Sequence, residues 1–151
     1  MNPSASTINL MALLSRVLIA VLFLPFGMEK ITGFDDTVKY IMSAHLPFPQ
    51  VAAVIGIVAE TVLPILLLVG WQTRWVALAL GIYTAALPFL FHIYWTAPAA
   101  QMYEMKLNFY KDLGIAGGLF ALVASGAGAW SMDARRPEHG IQARRAGGAA
   151  R

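Results

Sequence analysis

The sequence predicts an all-α fold, an integral membrane four-helix bundle with antiparallel, up-and-down connectivity and a longer first outer loop. Three observations predict it. Of 151 residues, 58% are hydrophobic and only 13% charged, whereas a soluble domain carries about 45–50% apolar and about 25% charged residues. Four long apolar stretches follow one another, and at ~20 residues per crossing the chain has room for about four. Between the second and third stretches lies a tight polar turn, Gly70-Trp71-Gln72-Thr73-Arg74-Trp75, which pairs them as a hairpin. With a mean hydropathy of +0.63, too few charges remain to cover a water-facing surface, so an ordinary soluble enzyme is excluded.

The four spans cover about residues 10–27, 51–70, 76–95 and 108–127, within a transmembrane domain of residues 1–132. The first is interrupted only by Ser15 and Arg16. It is too long for the apolar core of a signal peptide, carries its first basic residue inside the run, and has a poor cleavage site at Leu24-Pro25-Phe26-Gly27, so it reads as a retained span. Between the first two spans, Leu46-Pro47-Phe48-Pro49 disfavours a continuous helix, while Asp35 to Ala44 suits a short interfacial helix. Asp35, Asp36 and Lys39 there read as a solvated face. The second span holds a single charge, Glu60, and the third has His92 near its end. The fourth carries Lys111 and Asp112 in its first turn. Residues 133–151 form a basic tail without an apolar face, expected to be disordered and cytoplasmic, resting on anionic membrane lipid.

Basic residues sort by side. Arg16, Arg74, Arg135, Arg136, Arg144, Arg145 and Arg151 fall with the termini and the Gly70–Trp75 turn, and Lys30, Lys39, Lys106 and Lys111 fall opposite. This asymmetry predicts a multi-pass protein of the bacterial inner membrane with both termini cytoplasmic. Trp71 and Trp75 would mark the inner boundary, and Tyr94, Trp95, Tyr103 and Tyr110 the outer one.

Glu60 is the sharpest feature. A carboxylate about 14 Å below the outer boundary, at 1.5 Å per residue, costs at least ~2.5 kcal/mol to insert and must face the bundle interior, where it finds a partner or a proton. Gly56, Glu60 and Pro64 share a face. So do Arg16, Ala20, Phe23, Gly27 and Lys30 on the first span, and Gly81, Ala85, Pro88 and His92 on the third. Asn108, Lys111, Gly114 and Gly118 align on the fourth, where Gly114-x-x-x-Gly118 is a close-packing motif. Lys30, Glu60, His92, Asn108, Lys111 and Asp112 therefore frame a polar pocket open to the outer face, with Glu60 near its floor. All but Asn108 also have a structural reading: Lys30 and Lys111 as interfacial snorkels, His92 as an interfacial aromatic, Lys111 and Asp112 as boundary charges, Glu60 as the partner of Lys30, Lys111 or a backbone group.

The chain lacks cysteine, which removes thiolate, Fe–S and disulfide chemistry. The three histidines, His45, His92 and His139, show no metal-ligand spacing, and neither a metal nor a haem site is expected. No interleaved basic and aromatic groove points to nucleic acid.

Several motifs in order resemble the DoxX family of small four-span bacterial membrane proteins. They are Gly27-Met28-Glu29-Lys30-Ile31, then Ala59-Glu60-Thr61, then Leu67 through Arg74. Tyr110-Lys111-Asp112-Leu113-Gly114-Ile115-Ala116-Gly117-Gly118 and the closing Trp130-Ser131-Met132-Asp133 complete the series. The resemblance spans roughly residues 10–133, and departs where Lys111-Asp112 stands in place of a Lys-Asn pair. It implies an association with respiratory and redox assemblies, including quinone-reducing thiosulfate oxidation.

Two functions follow as expectations. One is a quinone-handling subunit of a redox assembly, with His92 or Lys111 donating to a carbonyl and Glu60 relaying a proton. Electrons would come from a partner redox enzyme, because the chain holds no redox centre of its own. The other is a non-catalytic anchor or assembly factor that docks a partner enzyme on residues 32–50. A small-solute or proton transporter, built as a homo-oligomer, is a third.

Overall fold

The computed structural model describes residues 4–135, and every regular element among them is helical. Helix α1 runs Ala5–Thr32, α2 Phe34–Ser43, α3 Pro49–Val69, α4 Thr73–Phe91 and α5 Ala99–Ser125, with 3₁₀ turns at Tyr94–Thr96 and Asp133–Arg135. Three helical stretches are long and apolar enough to cross a membrane: Ala5–Thr32, Pro49–Val69 and Thr73–Thr96, with mean hydropathies of 2.2, 2.5 and 1.9. Helix α5 has the length but not the hydropathy, because Glu104, Lys106, Lys111 and Asp112 lie along it.

Local chemistry sets the boundaries. Ser4 caps α1 by accepting from the Thr7 N–H at 3.2 Å. The expected interfacial helix forms as α2, pinned where the Gly33 N–H donates to Glu29 O at 2.8 Å. Its Ile41 is buried, while Asp36 and Lys39 pair at 2.8 Å on the exposed side. That hydrogen bond holds the Asp36 carboxyl below its ordinary range. Pro49 opens α3 at the helix position where a missing N–H costs nothing. Gly70, at φ 71°, closes it: the Gly70 N–H donates to Leu67 O and the Trp71 N–H to Leu66 O, each at 3.0 Å.

Helix α4 ends at Phe91, short of the Trp95 expected for the third span, since His92 leaves helical geometry while its N–H donates to Pro88 O. Helix α5, which contains the expected fourth span, begins at Ala99 rather than near Asn108, directly after Pro98.

Residues expected to begin the tail are built into the fold instead. The Met132 and Asp133 N–H groups donate to Val69 O and Gly70 O at 3.1 and 2.9 Å. The Asp133 carboxylate accepts from the Gln72 and Thr73 N–H groups at 2.7 and 2.8 Å, capping α4 from a distant part of the sequence. The remainder of the expected tail, 136–151, lies outside the described residues.

Phe23, Ala59, Leu67, Val76, Ala77, Leu80, Leu119 and Leu122 form the core. The opposite faces expose large apolar side chains such as Leu18, Val21, Ile55, Ile82 and Trp75, the inverse of a water-soluble surface. The stripe predicted on α1 is the buried one, as is that on α3. The stripe on α4 is turned slightly, with Thr84 buried in place of Ala85.

The stripe predicted on α5 is contradicted. Phe109, Ala116, Leu119 and Leu122 face inward, while Gly114, Gly117 and Gly118 have nothing within 4 Å of where a Cβ would sit. The reason lies on the opposing helix. Gly81 of α4 supplies the space, since a Cβ there would stand 2.9 Å from the Phe120 ring. Large α5 side chains thus pack onto a small residue of α4, and α5 needs no small residues of its own on that face.

Candidate functional site

Helix α1 lies close against α3 at Gly27, where a Cβ would stand 2.8 Å from the Glu60 carbonyl oxygen. One turn further along, this contact delivers Lys30 to Glu60. The Lys30 ammonium donates to Glu60 Oε2 at 2.6 Å, and the Tyr83 hydroxyl of α4 donates to Oε1 at 2.7 Å. Both carboxylate oxygens are therefore engaged, from two different helices. The Glu60 side chain is 6% exposed and that of Lys30 30%, so the carboxylate lies within the fold and the ammonium at the edge of a cavity. Gly56, one turn before Glu60, leaves room beneath: a Cβ there would lie 3.4 Å from the Tyr83 oxygen and 3.8 Å from Lys30 Cδ.

The cavity has a volume of about 440 Å³. Lys30, Glu60, Tyr83 and His92 give it polar points, and Tyr40, Ile41, Leu46, Leu87, Leu90 and Phe91 supply most of its wall. Helix α2 and the loop after it form one side. Tyr40 of α2 stacks on Phe91 at the end of α4, with ring centroids 5.5 Å apart and planes 16° apart. Two non-glycine residues adopt left-handed backbone in this wall, His45 at φ 59° and Phe48 at φ 53°, which lets residues 44–48 turn tightly over the cavity.

Of the six predicted site residues, Lys30, Glu60 and His92 line this cavity together. Asp112 stands behind His92, with Oδ2 3.5 Å from His92 Nε2. That oxygen is buried and accepts no hydrogen bond. Asn108 and Lys111 do not join the cavity. Lys111 donates to Asn108 Oδ1 at 2.9 Å along an exposed face of α5, because the helix turns Phe109 inward and its neighbours out.

Tyr83 was missing from the predicted set. A tyrosine in the middle of an apolar helix, remote from either boundary, was the available signal, since a buried phenol needs a hydrogen-bond partner. Arg16 also has a role that its sequence position did not convey. It is fully buried, and its guanidinium donates to Leu68 O at 3.1 Å and Trp130 O at 2.6 Å. It satisfies carbonyls at the end of α3 rather than standing as a free boundary charge.

Chemically, the cavity offers apolar walls around a few polar groups, among them the Lys30 ammonium and the His92 imidazole as donors, with the Tyr83 proton committed to Glu60. It holds one firm cation, Lys30, already matched by Glu60, so no unmatched positive charge is left to attract an anion. The arrangement suits a neutral, largely apolar molecule with an oxygen acceptor.

The sequence profile described as DoxX matches residues 11–93. The inner membrane protein YphA of Escherichia coli strain K12 is 36% identical over 123 residues, covering 82% of this chain and 88% of its own length. Inner membrane protein YqjF of the same organism is 34% identical over 121 residues, 80% of this chain and 88% of its own. No solved structure matches the chain significantly.

Proposed function

Since the chain belongs to the DoxX family, we propose that it is a multi-pass bacterial inner-membrane protein whose outward-facing cavity holds the ring of a quinone for a redox partner. The family relatives named as inner membrane proteins support the location. Four antiparallel spans are supported by the way the helices meet. Arg16 reaches Leu68 while Lys30 reaches Glu60, and α4 meets α5 at Phe89–Phe109 and again where Gly81 faces Phe120. In both pairs the contact moves forward on one helix and backward on the other. Helix α5 would then cross against α4, with its charges toward the outer end. Arg74 and the arginines from 135 onward favour cytoplasmic termini.

The observation that carries the ligand reading is the cavity's composition: an apolar slot with Lys30 and His92 as groups that can donate to a ring carbonyl, while Tyr83 gives its one hydroxyl proton to Glu60. A bound quinone supplies a two-electron, two-proton couple; this chain's residues would bind the ring, exclude water from it and hold protons at Glu60 and His92. Electrons would reach it from a partner enzyme. The anchor alternative assigns residues 32–50 as a docking surface. Five residues of that segment, Thr37, Tyr40, Ile41, Leu46 and Pro47, instead help to wall the cavity, which favours the ligand reading.

Titrating purified protein with a short-chain ubiquinone analogue, followed by tryptophan fluorescence, tests this. Saturable binding weakened by Glu60→Gln and by His92→Ala is expected. Binding indifferent to both substitutions defeats the proposal.

A further inference from the structure

We propose that Lys30 captures a long-chain aldehyde in this cavity as a reversible Schiff base, with Glu60 as the counterion of the resulting iminium. The inference shares the cavity with the reading above but does not depend on the ligand there being a quinone.

Three features converge on it. Lys30 presents a primary amine to an apolar cavity, with 30% of its side chain exposed. Glu60 Oε2 stands 2.6 Å from that nitrogen, and its other oxygen is fixed by Tyr83, so one oxygen is permanently aimed at Nζ. The other described lysines differ. Lys39 is 73% exposed and paired with Asp36, Lys111 bonds to Asn108 on an exposed face, and Lys106 lies 6.0 Å above the Tyr94 ring on an exposed stretch. An imine on any of these meets bulk water and hydrolyses. Lys30 is sheltered by the α2 wall.

The steps balance without an oxidant or reductant. Glu60 takes a proton from the Lys30 ammonium across the 2.6 Å contact. The free amine attacks the aldehyde carbon, a C–N bond forms, and the nitrogen proton moves to the carbonyl oxygen. That hydroxyl leaves as water, carrying the proton returned by Glu60, while the nitrogen lone pair closes the C=N bond. One water is released. Nζ is positively charged before and after, and Glu60 negatively charged before and after, so the ion pair survives and no unpaired charge is left in the apolar slot. A neutral aldehyde adds no charge to a cavity whose one firm cation is already matched.

All-trans-retinal, a long apolar aldehyde with a visible chromophore, serves as the probe. Full-length protein in detergent is incubated with one equivalent and trapped with cyanoborohydride, and the modified peptides are mapped by mass. Label about tenfold higher at Lys30 than at any exposed lysine is expected, the advantage of a positioned amine. Before the cyanoborohydride is added, a red-shifted protonated-imine band should be present, and it should be absent in Lys30→Arg, which keeps a cation beside Glu60. In Glu60→Gln, which removes the proton acceptor, label at Lys30 is expected to fall severalfold and the band to disappear.

Label that follows exposure, with Lys39 or Lys111 ahead of Lys30, overturns the proposal, as does a band that persists in Lys30→Arg. Should either variant fail to fold, wild-type protein decides: an excess of a long-chain alcohol should protect Lys30 from label, and absence of protection overturns it. The ubiquinone titration on the same preparation separates the two readings. Quinone binding with Lys30 unlabelled defeats only this inference, and labelling without quinone binding defeats only the other.

Discussion

Arg16 donates to the carbonyl of Trp130 across 2.6 Å, joining the first helix to the segment that follows the last. The same guanidinium reaches Leu68 O at 3.1 Å, so one side chain ties the end of α3 to both ends of the described chain. Replacing Arg16 by Met keeps the bulk and removes the donor that the partly buried Leu68 and Trp130 carbonyls share. A loss of roughly 2–4 kcal/mol is expected, read as a lowered midpoint in thermal unfolding of detergent-solubilised protein. A midpoint within a degree of wild type would show that water satisfies these carbonyls unaided.

Lys30 and Glu60 should behave as one unit. Either Lys30→Met or Glu60→Gln leaves its partner's charge without an opposite in a low-dielectric setting, whereas the double variant removes both charges together. A double-mutant cycle should therefore give a coupling of about 1–3 kcal/mol, with the double variant more stable than the sum of the singles predicts. Additive losses would mean that water, not the pairing, carries these charges.

Much of this was legible in the sequence, and what was not has a common cause. The stripes on α1 and α3 could be read because the charges deepest in each span, Arg16 and Glu60, lie in line with small residues, so periodicity and burial cost select the same face. On α5 they disagree. The aligned Asn108, Lys111, Gly114 and Gly118 suggested the packed face, but volume decided otherwise, since Leu119 and Phe120 fill the groove that Gly81 of α4 opens. That fit is a relation between two helices, and no single helix displays it. Tyr83 and Asp133 were missed in the same way. Each acts on a partner in another element, Glu60 in one case and the first turn of α4 in the other.

Asp133→Ala removes the carboxylate that accepts from the Gln72 and Thr73 N–H groups. A cap of this kind contributes about 1 kcal/mol, and the loss should be local. Hydrogen exchange at Gln72 and Thr73 is expected to quicken, with amides near Glu60 unchanged. Quickening spread evenly over α4 would instead indicate that Asp133 holds the whole helix in place.

The glycines on α1 and α5 make opposite predictions from the same substitution. At Gly27 a methyl group would meet Glu60 O at 2.8 Å, so Gly27→Ala forces α1 and α3 apart and should cost about 1–3 kcal/mol. It should also weaken the coupling between Lys30 and Glu60. At Gly114 a methyl meets nothing in the described chain, and alanine's better helix propensity should add up to ~1 kcal/mol. A destabilised Gly114→Ala would reveal a contact outside this chain at that face, which a shift in oligomeric mass would register.

Tyr83→Phe tests the site with the least disturbance to packing, because it deletes one oxygen and keeps the ring. Glu60 Oε1 then loses its donor at 2.7 Å, while Lys30 remains on Oε2. The carboxylate becomes free to rotate, and the Lys30 ammonium it holds at the cavity edge is less firmly placed. A drop of about fivefold in affinity for the ubiquinone analogue is expected, the size of one neutral hydrogen bond. Tyr94→Phe, on the 3₁₀ turn and outside the cavity lining, serves as the comparison and should bind as wild type does. Equal affinity in all three proteins would remove Tyr83 from the site and leave its bond to Glu60 a structural one.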